Sequence, residues 1–123
     1  MNGFRDLKVY QKAYKLAMEI FNLTKNFPFE ERFSLTDQIR RSSRSVPANI
    51  AEGYRKRQYP NAFSNKMSDS DAEATETQVW LDFSRDCGYI SKEECERLRL
   101  EYEEVGRMLG NMIAHPEKFT PRQ

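Results

Sequence analysis

The chain has 123 residues, of which 20 are lysine or arginine and 19 are aspartate or glutamate, so its formal net charge is only +1. This length is typical of one domain with a sizeable core, and we expect a single domain over residues 1–123. No apolar run approaches the roughly 20 residues that span a bilayer, and no secretory segment is recognisable, so we expect a cytoplasmic protein without a membrane partner.

The charge is unevenly distributed along the chain. Residues 1–61 contain 12 basic and 6 acidic residues, net +6, whereas residues 62–123 contain 8 basic and 13 acidic residues, net −5. If the two halves formed two layers of one bundle, its opposite faces would carry opposite charge. That arrangement suits a nucleic-acid surface or a head-to-tail contact between subunits. The simpler alternative is a set of solvated helix faces that are unevenly charged.

The first predicted helix, at about residues 6–26, has two adjacent apolar seams at helical spacing. One seam comprises Leu7, Tyr10, Tyr14, Ala17 and Phe21, and the other comprises Val9, Ala13, Leu16, Ile20 and Leu23. Two seams are wider than one partner helix covers, so this helix packs between two neighbours or contributes to a subunit interface. Pro28 ends the helix, and Phe33 in the following connection is expected to pack against the core.

The second predicted helix, at about residues 35–58, separates an apolar face from a basic one. Ser34 is the expected N-cap, with an acidic residue in the first turn. The apolar face comprises Ile39, Val46, Ile50 and Tyr54. The basic face comprises Arg40, Arg41, Arg44 and Arg55, and Lys56 and Arg57 follow it directly.

Two residues inside the second helix break its local rules. Pro47 cannot donate to the carbonyl of Ser43, so it predicts a kink. The kink either fits the helix against its neighbours or forms a ligand pocket. Gly53 is about 1 kcal/mol less favourable than alanine in a helix interior, unless close packing there excludes a side chain.

The third and fourth helices are predicted at about residues 61–87 and 91–114. The third carries a heptad seam with small residues at its middle, and its end is widened by Trp80 and Phe83. These two aromatic residues are candidates for an oligomer interface, with a place in the core as the alternative. Gly88 is the expected C-terminal cap, and Ser91 with Glu94 forms a capping box for the last helix. Residues 115–123 are expected to be a frayed tail.

Sequence motifs for catalysis are weak throughout. Glu73 and Glu76 have the spacing of a di-iron motif but lack its histidine, and the only histidine, His115, lies at a helix end. Cys87 and Cys95 are expected to be unreactive thiols rather than metal ligands. We therefore predict no catalytic residue, no metal site, no cofactor and no small-molecule substrate.

Binding is the remaining class of function. The cationic side chains that can contact phosphates are Arg40, Arg41, Arg44, Arg55, Lys56 and Arg57. Tyr54 and Tyr59 lie near them and can stack on exposed bases. The alternative is that this basic face is simply solvated.

Residues 42–53, reading S-S-R-S-V-P-A-N-I-A-E-G, resemble the signature of the 23S rRNA intervening-sequence proteins. Residues 35–41, 73–81 and 88–90 resemble that family as well, and the likeness covers residues 4–114. The resemblance implies an all-α, antiparallel up-down-up-down four-helix bundle that assembles as a homopentameric ring. It also implies a relationship to accessory proteins of diversity-generating retroelements, which associate with reverse transcriptase and nucleic acid through a basic surface. The signature positions shared with the family are Ser45, Pro47, Asn49, Glu52 and Gly53.

Two hypotheses follow for the function. In the first, a noncatalytic homo-oligomer binds structured RNA or DNA, or a nucleoprotein partner, through the basic face of the second helix. In the second, the protein is an assembly scaffold without nucleic-acid contact, whose interface includes Trp80, Phe83 and the second seam of the first helix. An enzymatic function would require a cofactor and ranks last.

Overall fold

The computed structural model describes residues 3–120, and these form four long helices. Their bounds are α1 Lys8–Thr24, α2 Leu35–Arg55, α3 Pro60–Asp86 and α4 Lys92–Ala114. Three single 3₁₀ turns accompany them at Phe4–Asp6, Phe29–Glu31 and Pro116–Lys118, and residues 3–120 contain no strand. The predicted all-α four-helix bundle is confirmed.

Each helix packs against the next one in the chain, and α4 returns to α1. Because the connections are short, neighbouring helices are antiparallel. The most extensive contact joins α2 to α3, and the weakest joins α1 to α4. One core is shared by all four helices, and its largest fully buried side chains include Tyr102, Phe63, Ile20, Ile39 and Met67.

The two seams of α1 have different environments. The second seam faces the core, where Val9, Ala13, Leu16 and Ile20 are all buried. The first seam is only partly covered, since the side chain of Tyr14 is 53% exposed. One seam therefore packs inside the bundle, and the other leaves part of its apolar surface exposed, with Phe21 facing α2.

The start of α2 differs from the prediction. Ser34 does not cap the helix through its side chain; instead the carboxylate of Glu31 accepts the backbone N–H of Leu35 at 3.3 Å. Glu31 also accepts the hydroxyls of Ser34 and Tyr89, the latter at 2.8 Å. These hydrogen bonds hold the pKa of Glu31 below its usual value, and its carboxylate raises the pKa of Tyr89 to about 12. The carboxylate of Glu31 therefore caps α2 and also binds Tyr89 in the connection between α3 and α4.

Phe33 was expected in the core, and that prediction is wrong. Its side chain is 81% exposed, and the neighbouring Phe29 is 76% exposed. Core space at this end of the bundle is taken by Phe27, which is buried and lies 5.3 Å from the ring of Tyr89. The connection therefore presents two aromatic rings to solvent.

The helix α2 continues without interruption through Pro47, which is buried. The hydroxyls of Ser43 and Ser45 donate to the carbonyls of Arg40 and Arg41 at 3.2 and 2.9 Å. Neither carbonyl is the one that loses its helical donor at Pro47, which is that of Ser43, so these bonds tie the serines to the preceding turn of α2 and do not replace the lost bond. The kink at Pro47 stays a prediction.

The ends of α3 and α4 follow from local chemistry. Gly88 has φ +79°, and the N–H groups of Gly88 and Tyr89 donate to the carbonyls of Arg85 and Ser84, which is a Schellman motif. Ser91 then caps α4 by accepting the N–H of Glu94 at 3.0 Å.

The tail prediction is wrong for residues 116–120. Pro116–Lys118 forms a turn, and Phe119 stacks on the buried ring of Phe63 at 5.6 Å. The apolar ring of Phe119 explains this, because it is held against the core rather than left in water. Residues 121–123 of the predicted tail lie outside the described part of the chain.

Tyr102 is the one buried side chain whose polar atom has no hydrogen-bond partner within residues 3–120. Burial raises the pKa of its hydroxyl, and the negative charge of Glu19 acts in the same direction. The unfolded chain therefore releases this proton first, near pH 10. Above that pH the unfolded state is favoured, because it binds fewer protons than the folded state.

We expect the Tyr102→Phe variant to lose a large part of the alkaline instability of the wild type. The wild type should lose up to about 1.4 kcal/mol of unfolding free energy per pH unit above about pH 10 from this group alone. At neutral pH the variant should be as stable as the wild type or more stable, since it removes an unpaired buried hydroxyl. Urea unfolding at a series of pH values measures this, with Tyr59→Phe as an exposed control. Parallel pH profiles for all three proteins would contradict the expectation.

Candidate nucleic-acid interface

The six predicted cationic residues lie at two separate places on α2. Arg40, Arg41 and Arg44 share one shallow depression of about 510 Å³. Arg55, Lys56 and Arg57 lie at the opposite end of the helix. The separation between Arg40 and Arg55 is about 22 Å at 1.5 Å per residue. The single basic face expected from the sequence is therefore two groups.

The cationic depression also includes Arg32, which the sequence analysis did not select. Arg32 lies in the connection that precedes α2. The other residues that line the depression are Thr36, Asp37, Ser45 and Ala48. Among the described residues that line the depression, four are arginines and one is a carboxylate, so it attracts anions.

Three cationic side chains of this surface lie around the ring of Phe21 on α1. The guanidinium carbons of Arg40 and Arg44 lie 4.8 and 5.7 Å from the centre of the Phe21 ring, and the ammonium nitrogen of Lys25 lies 4.9 Å from it. These distances are within the range of cation–π contacts. The Nε of Arg40 also donates to the hydroxyl of Thr24 at 2.7 Å.

The cations around Phe21 are held without carboxylate partners. In the part of the chain that the structure describes, no salt bridge involves Lys25, Arg40 or Arg44. Three like charges near one ring repel each other, and an external anion relieves that repulsion.

Arg41 differs from its neighbours because its charge is balanced by α3. Its guanidinium forms ion pairs with Glu73 at 3.1 Å and with Glu76. Glu76 also accepts the indole N–H of Trp80 at 3.0 Å. Arg41 therefore joins α2 to α3 and contributes less to the attraction of an external anion than Arg40 or Arg44.

The second basic group has features of a helix terminus. Arg55 and Lys56 are exposed, whereas Arg57 donates to the carbonyl of Tyr54 at 3.1 Å and lies 4.0 Å above its ring. Cations at this end of a helix interact favourably with its dipole. Tyr54 is buried, so the expectation that it stacks on bases is wrong; it belongs to the core face of α2. Tyr59 remains exposed at 61%.

Arg32 contacts two aromatic residues of the connection between α1 and α2 and also lines the cationic depression. Its guanidinium carbon lies 3.7 Å from the centre of the Phe29 ring and 4.5 Å from that of Phe33. We name Phe29 and Phe33 the aromatic pair.

Trp80 and Phe83 lie at the end of the bundle nearest the start of α2. Their ring centres are 5.7 Å apart; Trp80 is half-buried against the core and Phe83 is 53% exposed. With Leu35 and Cys87 they line a second shallow groove of about 360 Å³. Trp80 therefore serves the core and the surface at once, and Phe83 is the more accessible of the two.

The groups considered for chemistry are dispersed. Within residues 3–120 no three His, Cys, Asp or Glu side chains are grouped to hold a metal ion. Cys87 is exposed and Cys95 is buried, with no disulfide between them, and burial raises the pKa of the Cys95 thiol. His115 is exposed and lies 3.4 Å from Glu117. Among the described helices, none combines the length and apolar character needed to cross a bilayer.

The fold and this surface define a small four-helix-bundle protein with an anion-attracting depression on its second helix. The family model described as 23S rRNA-intervening sequence protein matches residues 5–111, and the chain belongs to this family. It is similar to the crystal structure, at 1.70 Å resolution, of a protein of unknown function from the S23 ribosomal protein family of Bacteroides thetaiotaomicron. The two share 33% identity with a TM-score of 0.77, covering 85% of this chain and 97% of the other. The search of curated proteins gave no match.

Proposed function

We propose that the protein is a noncatalytic homo-oligomer that binds RNA or DNA, alone or within a nucleoprotein, through the cationic depression. The observation that carries this proposal is the group of Lys25, Arg40 and Arg44 around Phe21 without a carboxylate partner. Lysine and arginine side chains neutralise the phosphates of a nucleic-acid backbone, so such a surface suits a nucleic-acid ligand.

The second basic group extends the proposed contact along α2. It lies about 22 Å from the first, which corresponds to about six base steps at 3.4 Å per step. Arg55 and Lys56 therefore contact only ligands longer than this. A short oligonucleotide occupies the depression alone.

Self-association completes the proposed function. Phe83 exposes about half of its side chain beside the apolar groove that contains Trp80, and such a patch suits a subunit contact. A homopentamer is the assembly that the family resemblance implies.

We also propose a cytoplasmic location, which the free thiols of Cys87 and Cys95 favour. A protein scaffold without nucleic-acid contact is the second candidate, favoured by the same exposed Phe83.

Light scattering with and without a mixed RNA pool tests both parts of the proposal. We expect an oligomer with a mass near that of a pentamer, which gains mass with RNA at low salt and loses the RNA at high salt. An oligomer whose mass is unchanged by RNA at low salt would refute nucleic-acid binding and favour the scaffold. The Phe83→Asp variant should have a lower mass than the wild type. An unchanged mass, with normal helicity by circular dichroism, would remove Phe83 from the interface.

A further inference from the structure

We propose that the ligand of the cationic depression presents unpaired bases, which stack on Phe29 and Phe33. This inference rests on the proposed function and specifies its ligand: single-stranded segments of nucleic acid rather than continuous duplex. Burying a phenylalanine side chain is favourable because it removes a large apolar surface from water. Phe29 and Phe33 are not stabilised by burial in this way, since they are 76% and 81% exposed.

The aromatic pair is connected to the phosphate-attracting cations through Arg32. The guanidinium of Arg32 contacts both rings and lines the depression beside Arg40 and Arg44. A strand whose phosphates bind Arg40 and Arg44 therefore places adjacent bases beside the aromatic pair. Bases stack on aromatic side chains regardless of sequence, because every base has a π face.

The segment that carries the rings is fixed rather than loosely attached. Phe29 begins a 3₁₀ turn, and an Arg32 guanidinium N–H donates to the Phe29 carbonyl at 3.1 Å. Glu31 in the same turn accepts hydrogen bonds from the start of α2 and from Tyr89. Stacking on this platform therefore costs little ordering of the protein.

The charge of the surrounding surface selects the class of partner. An apolar protein partner would have to cover four arginine side chains, and Asp37 supplies the one carboxylate among the described residues that line the depression. A polyanion with aromatic groups matches both features at once. A regular duplex matches only the charge, because its base faces are already stacked on each other.

Three fluorescent probes of about 12 nucleotides, within the site sizes of single-strand-binding modules, separate base contacts from phosphate contacts. They are an oligodeoxyadenylate, an abasic strand with the same phosphodiester backbone, and a duplex of the same length. We expect the full-length protein to bind the oligodeoxyadenylate about 10-fold to 100-fold more tightly than the abasic strand, because stacking contributes about 1 to 3 kcal/mol per base. An oligoriboadenylate arm shows whether RNA or DNA is preferred.

The Phe29→Leu/Phe33→Leu variant should lose this preference for bases and keep the wild-type affinity for the abasic strand. Both positions are exposed, so the variant should melt like the wild type. The Tyr14→Leu variant, which removes an exposed aromatic residue of α1 that does not line the depression, should keep the preference. Equal weakening of all probes by the double leucine variant would overturn stacking.

The failure of this inference is distinguishable from failure of the proposed function. Salt-dependent binding of the wild type with equal affinity for the base-containing and abasic strands would overturn stacking and leave the phosphate-binding function intact. Absence of binding to all probes at low salt would overturn both.

Discussion

The Arg40→Glu/Arg44→Glu variant will bind RNA about 100-fold more weakly than the wild type at low salt. Hydrogen bonds to charged groups contribute about 1.5 to 3 kcal/mol each, so loss of two arginine–phosphate contacts, taken at the lower limit, accounts for a factor of this order. The introduced carboxylates then repel the phosphates. The salt dependence should weaken as well, with the slope of log K against log salt smaller by about two. Fluorescence anisotropy at several salt concentrations measures both quantities.

A matched control separates the site from the net charge. The Lys92→Glu/Arg107→Glu variant changes the net charge by the same amount at two exposed positions of α4. It should keep nearly all of the affinity. Similar losses in both variants would show that RNA responds to overall charge, which would refute the assignment of the site. Because Arg40 also donates to Thr24, Arg44→Glu alone serves as the variant that leaves this hydrogen bond in place.

Helical periodicity predicted the fold because α1, α2 and α4 each separate an apolar face from a polar one with little ambiguity. The buried residues of α4, from Cys95 to Met112, are the same heptad positions that the sequence indicates. Local chemistry predicted two helix ends, since Gly88 and Ser91 act through atoms within a few residues of themselves. Features of this kind need no knowledge of the tertiary structure.

The errors concern groups whose partners are far away in the chain. Ser34 has the residue type of an N-cap, but Glu31 takes that role because Tyr89, 58 residues later, holds its carboxylate in place. Phe33 was assigned to the core by its hydrophobicity alone. Phe27 occupies the space instead, against the ring of the same Tyr89. A single sequence does not show either contact.

The candidate site was predicted by residue type but not by arrangement. The arginines of α2 are evident from their spacing, whereas the neutralisation of Arg41 depends on Glu73 and Glu76 of another helix. Arg32 escaped notice because it lies in a connection, where periodicity gives no information. Phe21 was assigned to an apolar seam, and its contacts with Arg40 and Arg44 emerge only when α1 packs beside α2.

The position of the arginines depends on the contact between α2 and α3 on the other side of the helix. Small polar groups mediate this contact: Ser70 donates to the carbonyl of Val46 at 2.8 Å, and Thr77 donates to the hydroxyl of Ser42 at 2.8 Å. All of these side chains are buried. Close packing on one face of α2 thereby fixes which direction the opposite, basic face points.

Gly53 is the residue on which this close packing depends most. A Cβ atom at this position would lie 2.5 Å from the Cε of Met67 and 2.7 Å from the Cβ of Lys66. The methionine methyl group can move, but the Cβ of Lys66 is fixed to the backbone of α3. An alanine at position 53 therefore forces α2 and α3 apart.

We expect the Gly53→Ala variant to be less stable than the wild type by about 1 to 2 kcal/mol. Overpacking costs about 1 to 3 kcal/mol, and the better helix propensity of alanine returns up to about 1 kcal/mol. Urea unfolding at one fixed protein concentration measures the difference, since stability of an oligomer depends on concentration.

Gly110 on α4 provides the matched control, because a Cβ there would meet nothing within 4 Å. The Gly110→Ala variant should be more stable than the wild type by about 0.4 to 1 kcal/mol, because alanine reduces the conformational entropy of the unfolded chain. The same substitution thus has opposite signs at two helical glycines, and only the distance to α3 separates them. If both variants were stabilised, α2 and α3 would be able to separate without cost, and the basic face of α2 would not be held by this contact.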